Sequence, residues 1–258
     1  MKKENLTIVK IGGKLINDED KLNEVLDIFS QIEGEKILVH GGGREATTMA
    51  EKLGIETKMI QGRRITDEDT IKLVTMVYAG GINKRIVAQL QKRDIDAIGL
   101  SGADANIIQS HKRVTEEIDY GFVGDVDKVN DARLMMMMNI GLTPVLSPIT
   151  HDKKGLLLNT NADTIAAMTS MAFVSTHNVH LKYCFEFLGV MYDMNDPLSI
   201  IPELSESQIP EMVQDGTISK GMLPKIKNGF NAKSNGVENV FICGINNLLD
   251  SESATNLI

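Results

Sequence analysis

A chain of 258 residues, 42% apolar and 24% charged, has the make-up of a globular protein, long enough for one large α/β domain or two lobes sharing one sheet. Its formal net charge of −8, with no basic block, argues against general nucleic-acid binding. No apolar run reaches the roughly 18 residues of a membrane helix, and the start, MKKENLTIVKIGGKL, has too short an apolar stretch for a secretion signal, so the expected compartment is the cytoplasm.

In chain order, LTIVKI (6–11) reads as a strand and EDKLNEVLDIFSQIE (19–33) as an amphipathic helix. KILVH (36–40) is a second strand, followed by three glycines and the helix REATTMAEKLG, which ends on Gly54. Residues 67–94 form a long helical segment interrupted near Gly80 and Gly81. AIGLSG (97–102) and LTPVLSPI (142–149) are further strands, and YGFVGDVDKV (120–129) between them has the alternation of a hairpin. The methionines at 135–138 are assigned to packing.

The second half opens with the helix NADTIAAMTSMAFVS (161–175) and the strand NVHLKYCFEF (178–187). An acidic, Pro-containing loop covers 192–205, and helices follow at ESQIPEMVQDG (206–216) and GMLPKIKNGFNAKSNG (221–236). The strand NVFICGI (239–245) completes the pattern. Strands interleaved with helices indicate parallel βαβ units. The expected division is a lobe of residues 1–175 and a lobe of residues 176–258. Cys184 and Cys243 lie in apolar runs without metal-ligand spacing, and read as small buried hydrophobes.

Three polar clusters carry chemistry. Gly41, Gly42 and Gly43 sit at a strand-to-helix join, where bare amides and a helix N-terminus suit an anion; a tight, closely packed turn is the alternative. The spacing is neither a P-loop nor a dinucleotide fingerprint. VKIGGK (9–14) ends the first strand with Lys10 and then Gly12 and Gly13, suggesting a second amide cradle at the same sheet edge. In LNTNADTIAA (158–167), Asn159, Asn161 and Asp163 precede a helix that needs only one cap. GRRIT (62–66) adds Arg63 and Arg64, and KGMLPKIKN (220–228) adds Lys225 and Lys227; arginine is suited to gripping a carboxylate. His40, just before the glycines, reads as a hydrogen-bonding support of the turn.

KIGGK, VHGGG, GRRIT, GLSGADANII, GFVGDV, LNTNADTIA, GVMYD and GMLPKI, in this order over almost the whole chain, resemble the amino-acid kinase family, and within it the N-acylglutamate kinase branch. The resemblance implies an α/β three-layer αβα sandwich with a mainly parallel central sheet, a homodimer, and transfer of the ATP γ-phosphoryl group to the side-chain carboxylate of an N-acylated glutamate in arginine biosynthesis. Matched by position, Lys10 and Lys225 would stabilise the migrating phosphoryl group and Asp163 would orient them. Gly13 and Gly42 would offer amides to phosphoryl oxygens, while Gly42, Gly43, Arg64 and Asn159 would hold the acylated amino acid. ATP, with Mg2+ carried mainly by its phosphates, would lie over 176–258, near Glu186, Gly189 and Ser219. A glutamate carboxylate, with a pKa of about 4.3, is already ionised at neutral pH, so the chemistry calls for positioning and positive charge rather than a general base.

The chain departs from the family at CFEFLGV, where Phe185 replaces a hydroxyl residue and Glu186 an aspartate, and at Lys220, where an acid is common. These changes leave a non-catalytic nucleotide or metabolite sensor as a rival expectation. Arg44 and Arg63 add positive charge near the acyl-glutamate pocket, which brings in N-succinyl-L-glutamate beside N-acetyl-L-glutamate as substrate; solvent-facing arginines are the alternative. The N-terminal helix of arginine-inhibited hexameric relatives is not matched, so a dimer without arginine feedback is expected.

Overall fold

The computed structural model describes residues 3–60, 63–193, 195–218, 221–251 and 253–258. Its first half runs β1 (Glu4–Ile11), α1 (Gly13–Ile16), α2 (Glu19–Ser30), β2 (Glu35–His40), α3 (Gly43–Lys52), β3 (Met59–Ile60), β4 (Arg63–Arg64), α4 (Glu68–Thr75), a π-helical turn (Met76–Ile82), α5 (Asn83–Gln91) and β5 (Ala97–Leu100). Then come β6 (Ile108–Lys112), β7 (Gly124–Val129), α6 (Asp131–Asn139), β8 (Thr143–Leu146), β9 (Ile149–His151), β10 (Leu157–Asn159) and α7 (Ala162–Phe173). The last part holds β11 (His177–Cys184), β12 (Glu203–Leu204), α8 (Ile209–Gln214), α9 (Leu223–Ser234), β13 (Asn239–Cys243) and β14 (Thr255–Leu257).

Eight of these strands form one sheet in the order β12-β14-β13-β11-β1-β2-β8-β5. It is parallel throughout except where β14 runs antiparallel to β13. Strand alternation sends side chains to two faces. Leu6, Ile8, Val179, Leu181 and Tyr183 pack on the side of α6, α7 and α9, whereas Val9, Ile11, Leu38 and Cys184 pack on the side of α2 to α5. This is the expected αβα sandwich. Lys10 shares its parity with Leu6 and Ile8, so the alternation that builds the core also turns Lys10 toward α7. β11, from beyond residue 175, lies directly beside β1, so the sheet runs unbroken across the expected lobe boundary.

A second sheet, β10-β9-β6-β7, corrects the hairpin reading of 120–129. That stretch supplies one strand, and its antiparallel partner is β6, joined to it with a bulge between Gln109 and Ser110. The intervening 113–123 segment is too long for a short-turn signal to have revealed the pair. LTPVLSPI is likewise two strands, β8 and β9, in different sheets, and NVHLKYCFEF stops being a strand at Cys184. The glycines at 80 and 81 lie in the π-helical turn, at the expected interruption. Gly54 ends the α3 segment with φ of +71°, the left-handed geometry of a helix C-terminal glycine. Within the methionine run, Met138 is buried, Met135 and Met137 pack against the core, and Met136 is exposed. Cys184 and Cys243 are free, buried and paired in register on adjacent strands.

Candidate active site

Two glycine loops leave the carboxyl ends of neighbouring strands β1 and β2. Gly12 N donates to Cys184 O at 3.0 Å and Gly41 N to Ile11 O at 3.3 Å, which fixes the loops to the sheet. The next amides, those of Gly13, Gly42 and Gly43, have no protein acceptor among the described residues. A Cβ added to Gly13 would lie 3.9 Å from both Gly42 N and Gly43 N, so the two loops face one small space. α3, ten residues long, begins there and adds the positive end of its dipole. The cradle is suited to an anion.

His40 supports this turn, as its sequence position implied. It is fully buried, with Nδ1 2.8 Å from Gly41 O and Nε2 3.1 Å from Asn83 Nδ2. A neutral ring that donates from Nδ1 and accepts at Nε2 satisfies both contacts, and Asn83 Nδ2 also donates to Val145 O at 3.0 Å. Burial, helped by the positive charges of Arg85, Lys10 and Lys84, outweighs the Gly41 hydrogen bond and holds the imidazole at a pKa of about 4.

Asp163 lies in the first turn of α7. Asn161 is the cap, its side chain accepting from Asp163 N at 2.7 Å, so one residue of the Asn-Thr-Asn-Ala-Asp run satisfies the helix while Asn159 and Asp163 line the cleft. Asp163 Oδ1 is 2.6 Å from Lys10 Nζ and Oδ2 is 3.5 Å from Lys225 Nζ. Lys10 and Asp163 are each only 5% exposed. Lys225 arrives from the first turn of α9, and Tyr183 donates its hydroxyl proton to the Asp163 carbonyl at 3.0 Å. Burial would raise the Asp163 carboxyl, but the two lysines outweigh it and hold its pKa below the ordinary carboxylate value. Burial lowers Lys10, the Asp163 charge offsets part of that, and Lys225 adds to the lowering. A single carboxylate therefore keeps two ammonium groups together that would otherwise repel.

Lys10, Gly13, Gly42, Gly43, Arg64, Asn159 and Asp163 line one cavity of about 230 Å³. Arg64, 6% exposed, donates from Nη2 to Gly43 O at 2.9 Å and Thr47 Oγ1 at 2.8 Å. Its Nη1 is buried without a hydrogen-bond partner among the described residues, and the guanidinium stands close to the Tyr78 hydroxyl. A buried guanidinium that lines a cavity and keeps donor capacity unused among the described residues fits an incoming carboxylate. Asn159, at the end of β10, donates to Thr66 Oγ1 at 3.0 Å. Arg63 and Tyr78 also line the cavity. Tyr78 was not anticipated, because nothing in a helical run marks one tyrosine as facing a site; the π-helical turn puts it there.

The remaining candidates stand elsewhere. Glu186 forms an ion pair with Lys14. Gly189 is packed against β14, where a Cβ would lie 2.6 Å from Thr255 Oγ1, so packing alone accounts for its missing side chain. Ser219 and Lys220, like Gly62 of the GRRIT run, lie outside the described residues. Arg44 is exposed.

Residues 5–244 match the amino acid kinase family. The chain is 54% identical over 240 residues to an acetylglutamate kinase of Phocaeicola vulgatus, covering 93% of each protein. It is 50% identical over 250 residues to an acetylglutamate kinase of Bacteroides thetaiotaomicron, covering 97% of each. Among solved structures it resembles smu.665 of Streptococcus mutans with a TM-score of 0.79, at 22% identity and 98% coverage of both chains, which supports the fold. Fold, glycine cradles and sequence agree: the chain belongs to the amino acid kinase family.

Proposed function

We propose that this protein transfers the γ-phosphoryl group of ATP to the side-chain carboxylate of N-acetyl-L-glutamate, giving an acyl phosphate, as a step of arginine biosynthesis. The observation that carries the reading is the Lys10–Asp163–Lys225 arrangement beside amides with no protein acceptor among the described residues. In the transfer the bond between the γ-phosphorus and the β,γ-bridging oxygen breaks, and a bond from a carboxylate oxygen to phosphorus forms. No proton has to move, because the nucleophile is already an anion at neutral pH. The difficulty is electrostatic: an anion must approach a polyanion, and charge spreads over the phosphoryl oxygens in the transition state. Lys10 and Lys225 would meet that charge, the amides of Gly13 and Gly42 would hold the oxygens, and Arg64, Asn159 and Gly43 would hold the acylated amino acid. The nucleotide would lie over residues 176–258, with residues 1–175 forming the amino-acid lobe and the contact of a cytoplasmic homodimer. Mg2+ would travel on the nucleotide phosphates and offset their charge; no group of three His, Cys, Asp or Glu able to hold a metal occurs among the described residues.

A second reading, phosphorylation of N-succinyl-L-glutamate, is favoured by Arg63. It lines the cavity beside Arg64, and the nearby Asp125 is already engaged by Arg113 at 2.7 Å, leaving the Arg63 guanidinium suited to a second substrate carboxylate. A coupled ADP-release assay with ATP and N-acetyl-L-glutamate, N-succinyl-L-glutamate or L-aspartate tests both. ADP release with an acyl glutamate but not with aspartate is expected. A higher kcat/KM for the succinyl compound, lost in Arg63→Ala, would establish the second reading; equal values or preference for acetyl would end it. No turnover with any acceptor would leave a non-catalytic binder.

A further inference from the structure

The ladder joining β1 to β11 ends with Ile11 opposite Cys184 and a last bond from Gly12 N to Cys184 O. Beyond that point the two segments part. α1 begins at Gly13, while residues 185–190 form a loop without regular secondary structure. Hydrogen bonds hold this loop on the β13 and β14 side: Phe185 N to Cys243 O at 3.0 Å, Gly244 N to Leu188 O at 3.2 Å and Val190 N to Thr255 Oγ1 at 2.9 Å. Toward the Gly12–Gly13 loop, no hydrogen bond joins it among the described residues.

Lys14 makes the connection instead. Its Nζ pairs with Glu186 and stands 5.7 Å from the centroid of the Phe187 ring. The Lys14 side chain is 49% exposed and that of Glu186 21%, and a pair so open to water adds little to folding. Stability therefore gives a poor account of why Lys14 directly follows Gly13, whose amide faces the anion cradle.

We propose that Lys14 is a positioning residue for a nucleoside triphosphate. Through Glu186 and Phe187 it clasps the 185–190 loop to the Gly12–Gly13 loop and so sets the gap that receives the phosphates. The inference rests on the kinase reading above. The clasp also neutralises the Glu186 carboxylate, which unpaired would repel an incoming polyphosphate. Neither Lys14 nor Glu186 lines the cavity that holds Arg64 and Asn159, so the effect falls on the nucleotide and not on the amino-acid substrate.

The test is steady-state kinetics for each substrate, with calorimetric ATP binding, on the unaltered protein and on Lys14→Met, Lys14→Arg, Glu186→Gln and the Lys14→Met/Glu186→Gln double variant. Lys14→Met is expected to raise the KM and Kd for ATP about fivefold, the size of one exposed ion pair, with the KM for the acyl glutamate within about twofold. Lys14→Arg should restore ATP binding. The double variant should bind ATP better than Lys14→Met alone, since the stranded carboxylate is gone. Unchanged ATP affinity in Lys14→Met, equal rises in both KM values, or strictly additive single effects would each overturn the clasp while leaving the kinase reading intact. Absence of ATP binding by the unaltered protein would remove both.

Discussion

Gly42 lies so close to Tyr78 that a Cβ on the glycine would stand 2.9 Å from Cδ1 of the ring, and 2.4 Å from Cδ1 of Ile82. The middle glycine of the triplet is thus bare because the π-helical turn is packed against it. Gly43 differs: a Cβ there would meet nothing within 4 Å. Gly42→Ala should lower the unfolding free energy by roughly 1–3 kcal/mol through overpacking. Gly43→Ala should stay within about 0.5 kcal/mol of the parent yet lose activity, because its methyl group enters the cleft. Urea titration beside the ADP-release assay checks both, and equal stability losses would contradict the distinction.

Removal of either lysine should act on turnover. Lys10→Ala is expected to lower kcat roughly 10²–10³-fold, the scale of losing one preorganised donor to developing charge, and Lys225→Ala should act in the same direction. Single-turnover measurements isolate the chemical step. A Lys10→Ala turnover near that of the parent would take Lys10 out of the mechanism.

Arg64→Ala should separate binding from chemistry. Arg64 lines the cavity and its buried Nη1 has no hydrogen-bond partner among the described residues, so the amino-acid substrate is expected to engage this guanidinium, and losing a charge-assisted contact should raise that KM roughly 10–100-fold. The KM for ATP should hold. A shift in the ATP value alone would place the nucleotide, and not the amino acid, at this end of the cavity.

His40 predicts an acid limb of stability. Its unfolded value is near 6.5 and its folded value about 4, so between these pH values the unfolded chain binds more protons than the folded one. The contribution is complete above about pH 6.5 and is lost as pH falls toward 4, with a slope of up to ~1.4 kcal/mol per pH unit from this group. Asp163, also depressed, adds a loss only at lower pH, below the ordinary carboxylate value of about 3.9. Urea unfolding between pH 7 and 4 should show a shallower slope in His40→Gln than in the parent; identical slopes would mean that the ring is not held neutral.

Much of the fold could be read locally. Period-two runs such as LTIVKI and amphipathic stretches such as 19–33 carry their own hydrophobic pattern, so β1, α2, β2 and α7 follow from nearest neighbours along the chain. β6 is not legible locally because its antiparallel partner β7 lies beyond an eleven-residue connection, residues 113–123, and pairing at that separation leaves no local mark. Of the candidate site, Lys10, Asp163, Arg64 and the glycines were visible as residues out of place in apolar or turn contexts.

The amino-acid sequence by itself determined the alternation of strands and helices in parallel βαβ units, the two glycine loops at strand ends and the polar residues available to them, because these depend on periodicity and backbone stereochemistry; the αβα layering followed only from the family resemblance. Only the tertiary structure decided that Lys10 and Lys225 meet on the one carboxylate of Asp163, that Gly42 is filled by Tyr78 and Ile82, and that Lys14 reaches Glu186. Each of these is a distance between segments far apart in the chain. Such distances are set when helices pack on both faces of a twisted sheet, and no local pattern of residues encodes them.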